Sequence, residues 1–140
     1  MFLSPFSRTK TSIPFHVVCS NGHSKMAELF VRNSIKYNID LNAKDSLHGY
    51  TGFHFACFEG HVEIVEILVD NAEDFDIDLR VKDFLGRTGL DLAERERDWM
   101  IRRSKVTNNV TFMNKQLYKY KKVVNMLKRK MPNRIKVVIV

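Results

Sequence analysis

Thr51–Val69 reads TGFHFACFEGHVEIVEILV, the pattern of two short helices on either side of a glycine. Thr51 suits an N-cap, because its hydroxyl can accept a bond from an amide the first turn leaves unpaired. Phe53, Ala56 and Cys57 then share one helical face. Gly60 ends that helix, glycine being the residue that enters left-handed backbone space without a Cβ penalty. From His61 to Val69 a second helix follows, with Val62, Ile64, Val65, Ile67, Leu68 and Val69 apolar and only Glu63 and Glu66 charged. A helix so nearly apolar all round has to be enclosed by neighbours.

The neighbour is a second copy of the same plan. Residues 13–31 read IPFHVVCSNGHSKMAELFV, so that His16 and His54, Cys19 and Cys57, and Gly22-His23 and Gly60-His61 each lie 38 residues apart. Asp40-Leu41 matches Asp78-Leu79, and Lys44-Asp45 matches Lys82-Asp83, at the same offset. A weaker third copy opens at Thr88, where TGLDLA follows TGFHFA after 37 residues. One offset shared by so many positions marks an internal repeat.

Thr51-Gly52-Phe53-His54-x-Ala56, Gly60-His61, Ile64-Val65 and the Asp-Leu-x-x-Lys-Asp link resemble the ankyrin repeat, whose signature is T-P-L-H-x-A at a period of about 33. The resemblance covers about residues 12–93 and is sharpest in the second copy. It implies an all-α fold of stacked, antiparallel helix pairs. Three departures stand out. Gly52 occupies the family's proline position, a change expected to cost about 0.4–1 kcal/mol through a looser unfolded chain. Ile13 replaces the threonine of the first copy, and Asp91 the histidine of the third. The period is also about five residues longer than the family's, with the excess at Asn33–Asn38 and Asn71–Asp76 as a lengthened loop or an extra helical turn.

The whole chain of 140 residues is the size of one domain. It has no apolar run long enough to cross a membrane, and MFLSPF lacks the basic lead and apolar core of a signal peptide. Equivalent positions of adjacent repeats lie about 8–10 Å apart, beyond the ~7 Å reach of a disulfide. Cys19 and Cys57 are therefore expected as thiols, which suits the cytosol or the nucleus. The net charge of +7 conceals an asymmetry. Residues 1–93 hold nine Lys/Arg against thirteen Asp/Glu, whereas residues 94–140 hold fourteen against three.

The expected organisation begins with a loose arm, 1–11, followed by repeat 1 over 12–49 and repeat 2 over 50–86. A divergent repeat 3 spans 87–130. In it, Glu94–Arg103 prolongs the first helix, 104–114 forms an inserted loop, and 115–130 forms a basic amphipathic helix. Leu117, Tyr120, Val124 and Leu127 make the apolar stripe of that helix, which covers the end of the stack as a cap. Pro132 stops it, leaving 131–140 as a tail of unassigned structure. In repeat 1, the second helix is expected to bury Met26, Ala27, Leu29, Phe30 and Val31.

Candidate chemistry is sparse. His16-x-x-Cys19 and His54-x-x-Cys57 put imidazole and thiol on one helical face, as a nucleophilic pair or half a metal site would. Both recur at the repeat spacing, however, and the family resemblance assigns the histidines to turn-holding hydrogen bonds. The acidic run Glu73–Asp78 lacks the spacing of a calcium loop. The reading is a non-enzymatic protein with no cofactor and no metal. By resemblance, the residues before Gly-His face a concave binding surface, which nominates Ser20, Asn21, Phe58 and Glu59. The turn tips add Ser46, Leu47, His48, Tyr50, Phe84, Leu85 and Arg87. Phe58 either anchors a partner or packs across the groove on Phe84. The partner implied is another protein, bound by a monomeric adaptor. Nucleic acid or an anionic membrane is the alternative, through the basic residues Lys115, Lys119, Lys122, Arg129 and Lys130. Clusters at 119–122 and 128–130 would also fit a nuclear import signal. Burial of Leu68 is the sharpest consequence of the repeat reading: Leu68→Ala should lower stability by about 2–5 kcal/mol in urea titration, and a loss under ~1 kcal/mol would place that helix in solvent.

Overall fold

Each copy of the repeat contributes two helices, because glycine breaks the apolar run once per copy. In the structure, a computed structural model that describes residues 13–131, six helices follow in order: α1 Ile13–Asn21, α2 Ser24–Arg32, α3 Gly52–Glu59, α4 Val62–Asp70, α5 Gly89–Ser104 and α6 Val110–Lys130. No strand occurs among the described residues. The expectations for residues 1–11 and for the tail beyond Met131 lie outside the described residues. Helices α1, α3 and α5 pack side by side in one layer and α2, α4 and α6 in the other, each pair forming a hairpin across the layers.

The start and stop signals act as the sequence implies. Thr51 Oγ1 accepts the His54 amide at 3.3 Å, and the Thr51 amide donates back to His54 Nδ1 at 3.1 Å. This is a reciprocal capping box built with histidine in place of glutamate. In the third copy Asp91 performs the same return, accepting the Thr88 amide at 2.9 Å. Gly60 ends α3 at φ +72°, and the His61 amide closes on the Ala56 carbonyl at 2.9 Å. The five extra residues per copy form an additional turn of helix-like backbone. Asn38 and Asp76 end these turns at φ +52° and +54°, a conformation that Asn and Asp tolerate better than other non-glycine residues.

One apolar core runs through the hairpins. Phe15, Cys19, Ala27 and Val31 join Phe53, Ala56, Cys57, Ile64, Val65 and Leu68, and then Ala93, Val123, Val124 and Leu127. Both cysteines are free and buried, as expected. Burial pushes the Cys19 thiol up to about 12 and the Cys57 thiol well above its ordinary range, so neither is a nucleophile. The first copy departs from expectation: Ala27 and Val31 are buried and Phe30 half-buried, but Met26 and Leu29 are exposed, as are Ile13 and Val17 of α1. The counterparts of Met26 and Leu29 in α4, Ile64 and Ile67, are buried and half-buried because α2 and α6 flank that helix; among the described residues, α2 has a neighbouring hairpin's helix on one side only.

Gly52 has a stronger reason than the loss of a proline. A Cβ there would collide with the Phe15 ring and come within 3.0 Å of the Cys19 sulfur. Gly89 repeats the arrangement, its added Cβ falling 2.6 Å from the Phe53 ring and 3.0 Å from the Cys57 sulfur. Each phenylalanine thus lies against a bare backbone in the next hairpin.

The third hairpin differs most from the sequence expectation. Helix α6 starts at Val110, so the inserted loop shrinks from 104–114 to residues 105–109. Asn109 caps it, accepting the Phe112 amide at 3.3 Å. The missing Gly-His turn is also made good. In the second hairpin, His61 Nε2 donates to the Ser20 carbonyl at 2.8 Å, with its ring against Gly22. The carbonyl 38 residues on, Phe58 O, accepts from Tyr120 Oη at 2.7 Å, and the tyrosine ring lies against Gly60. A residue of α6 therefore supplies the link a third histidine would have made. Helix α6 is further held by Lys128–Glu94 at 3.2 Å and Lys130–Asp70 at 2.5 Å. Gly52→Pro, which restores the family's residue, should destabilise the protein by about 1–3 kcal/mol through overpacking. Chemical denaturation checks this, with Phe15→Leu in the same chain expected to recover part of the loss.

Candidate protein-recognition face

The loops between hairpins are organised by one aspartate each. Asp45 Oδ1 accepts the amides of His48 at 3.1 Å and Tyr50 at 2.7 Å, while its own amide donates to the Tyr50 carbonyl at 2.8 Å. Asp83, 38 residues on, accepts the amides of Leu85 at 2.9 Å and Arg87 at 2.8 Å, and Arg87 Nε at 2.9 Å. Burial alone would raise the Asp83 carboxyl. The backbone and guanidinium of Arg87 and the Leu85 amide outweigh it, and the group sits below the usual carboxylate range. Two aspartate-anchored tips, the second one residue shorter than the first, therefore project from the same edge of the stack. They are linked directly: the Phe84 amide donates to the His48 carbonyl at 3.0 Å, and the Phe84 ring lies over Gly49.

Below the tips is an aromatic cluster. Tyr50 stacks on His54 at 5.4 Å and on His48 at 5.0 Å, meets Phe55 edge-on at 5.3 Å and lies 6.2 Å from Phe58. His54 Nδ1 accepts the Thr51 amide, so the ring proton is on Nε2, which donates to the Arg87 carbonyl at 2.9 Å. The imidazole thus ties the capping box of α3 to the following tip. Burial is the chief cause that depresses its basicity.

The nominated residues divide by role. Ser46, Leu47, His48, Phe84 and Leu85 are exposed on the tips, and Arg87 is partly covered by its bond to Asp83. Asn21 and Glu59 are exposed at the ends of α1 and α3, and Ser20 is half-buried, its carbonyl occupied by His61. Tyr50 departs from expectation: only 6% exposed, it supports the surface instead of forming it. Phe58, 36% exposed, leans on Tyr50, whereas Phe84 lies over Gly49 and within 6.0 Å of Lys44 Nζ. The face that results presents Leu47, Phe58, Phe84 and Leu85 among polar groups. Of the basic residues, Lys115, Lys122 and Arg129 lie exposed along α6 and Lys119 is partly covered. Lys130 is engaged by Asp70. Phe55, which supports Tyr50, carried no sequence signal distinguishing it from an ordinary core position.

Helical hairpins in two layers, with aspartate-anchored tips along one edge, define a repeat solenoid. The chain belongs to the ankyrin-repeat family, whose repeats match it in three copies over residues 4–101. A search of curated proteins found no match at a significant level. Ankyrin repeats generally mediate protein–protein interaction, and no helix among the described residues is long and apolar enough to cross a membrane.

Two buried groups with shifted titrations, His54 and Asp83, predict an acid response in two stages. His54 has a folded pKa below the unfolded value of about 6.5, so its contribution is complete above that pH and declines as pH falls through the window beneath it. Asp83 is depressed below about 3.9, so its contribution is lost only in stronger acid. Melting temperature measured from pH 7 to 3 should fall in both windows, and His54→Gln should flatten the first.

Proposed function

We propose that the chain is a non-enzymatic adaptor that recognises a partner protein through the tips and the first-helix layer. The observation that supports this most directly is Phe58. It is a large ring left partly open on a rigid helix and backed by the buried Tyr50, in a stack whose tips expose Leu47, Phe84 and Leu85. Aromatic side chains on a firm support commonly dominate interface energy. The tips are held by the hydrogen bonds of Asp45 and Asp83 before any partner arrives, so association loses little ordering entropy.

The hydrogen-bonding residues of this face carry structure. His16 Nε2 donates to the Ala43 carbonyl at 2.8 Å, His54 to Arg87 and His61 to Ser20. These three imidazoles are spent on joining helices to loops and neighbouring turns, which favours binding over catalysis. Monomeric action in the cytosol or nucleus accords with this reading and with the reduced cysteines.

The test is an affinity pull-down comparing wild type with Phe58→Ala. A hot-spot residue costs about 2 kcal/mol or more on truncation, so capture of the specific partner should fall at least ~30-fold while circular dichroism is unchanged. Equal capture by both proteins would remove Phe58 from the interface.

A further inference from the structure

The third hairpin extends past the rest of the stack. Helix α5 has 16 residues where its neighbour α3 has 8, an overhang of about 12 Å at 1.5 Å per residue. Helix α6 has 21 residues against 9 in α4. The last two turns of α5, the five-residue connection and the first turn of α6 therefore form a protruding tip. It carries Trp99, Val106, Val110 and Phe112, which are 45%, 82%, 51% and 54% exposed. Met113, next in the helix after Phe112, is buried.

The charge around these side chains is mainly positive: the one acidic group on the last two turns of α5, Asp98, is paired with Arg97 at 3.0 Å. Residues 99–130 include ten Lys/Arg and no Asp/Glu. Arg102, Arg103, Lys105 and Lys115 are exposed on or next to the tip, and none of them enters an ion pair among the described residues. Residues 1–93 have the opposite balance, four more acidic than basic. An anionic surface would therefore draw in the hairpin and repel the repeats, which fixes the approach tip first.

We propose that the α5–α6 tip docks this protein on an anionic lipid bilayer, with Val106, Val110 and Phe112 entering the headgroup–acyl boundary and Trp99 at its edge. Apolar side chains surrounded by arginine and lysine match that boundary, where the rings and methyl groups leave water and the cationic heads stay among phosphates. Nucleic acid fits less well. Valine offers a base no flat surface on which to stack, and the Trp99 ring already carries the Arg103 guanidinium 5.2 Å from its centre.

Trp99 is the single tryptophan of the chain and reports its own burial. The full chain is mixed with vesicles of phosphatidylserine and phosphatidylcholine, with pure phosphatidylcholine vesicles, and with a DNA or RNA duplex at the same salt. The expected result is a blue shift of Trp99 emission and co-sedimentation with the anionic vesicles alone. Replacing Arg102, Arg103 and Lys105 together by Gln should weaken binding on the order of 100-fold, roughly fivefold per charge. Val106→Asp with Phe112→Asp should weaken it about tenfold or more while those charges remain. Phe58→Ala should bind vesicles as wild type does, which separates this site from the partner face. Absence of a blue shift would overturn the proposal. So would tighter binding to the duplex, or vesicle binding indifferent to Val106→Asp with Phe112→Asp, which would mean attraction by α6 without insertion.

Discussion

Helices of eight or nine residues are too short to persist alone in water, and α1 to α4 are all of that length. Their stability comes from sharing apolar flanks. Leu68, Val65, Ala27 and Val31 are fully enclosed, and they are enclosed by other hairpins as well as by their own. The architecture follows from this dependence: a row of pairs, each closing its predecessor. The long helix α6 ends the row by laying Val123, Val124 and Leu127 over the last apolar flank and turning its lysines outward.

The parts of this arrangement that were legible in the sequence are those set by local chemistry. Thr51, His54 and Gly60 are each required by the backbone at their own position, so their pattern announces the hairpin directly. The 38-residue spacing does the same for the stack. What was hidden depends on what a residue meets in space. Gly52 reads as a weakened proline until Phe15 is seen against it. Tyr120 reads as one member of an amphipathic stripe, since nothing in its neighbourhood shows that its hydroxyl completes a turn 62 residues earlier. Met26 and Leu29 follow the apolar pattern of a buried helix, but burial needs a neighbour on that side and the pattern cannot supply one.

The start of α6 was obscured for a different reason. Thr107, Asn108 and Asn109 have loop composition, and they do lie in the connection, but Asn109 is also the cap that begins the helix. The next three residues are all exposed, so the helical stripe becomes visible only at Met113. The same exposure conceals the protruding tip, whose valines and phenylalanine fall off the stripe. The candidate face was partly legible: repeat register aligns the two tips and nominates Phe58, whereas the inward turn of Tyr50 depends on its stacking with His54 and Phe55.

The phenylalanine-on-glycine contact gives the stack a polarity of assembly, like a plug and its socket. Phe15 and Phe53 are plugs, and Gly52 and Gly89 are sockets. The second hairpin has both, so a tandem duplicate of it would mate with itself. The first has a plug but Pro14 at the socket position, and the third has a socket but Leu90 in place of the plug. Genetic lengthening of the array is thereby channelled to its middle, because a first hairpin inserted behind Phe53 would drive a proline ring into an occupied site.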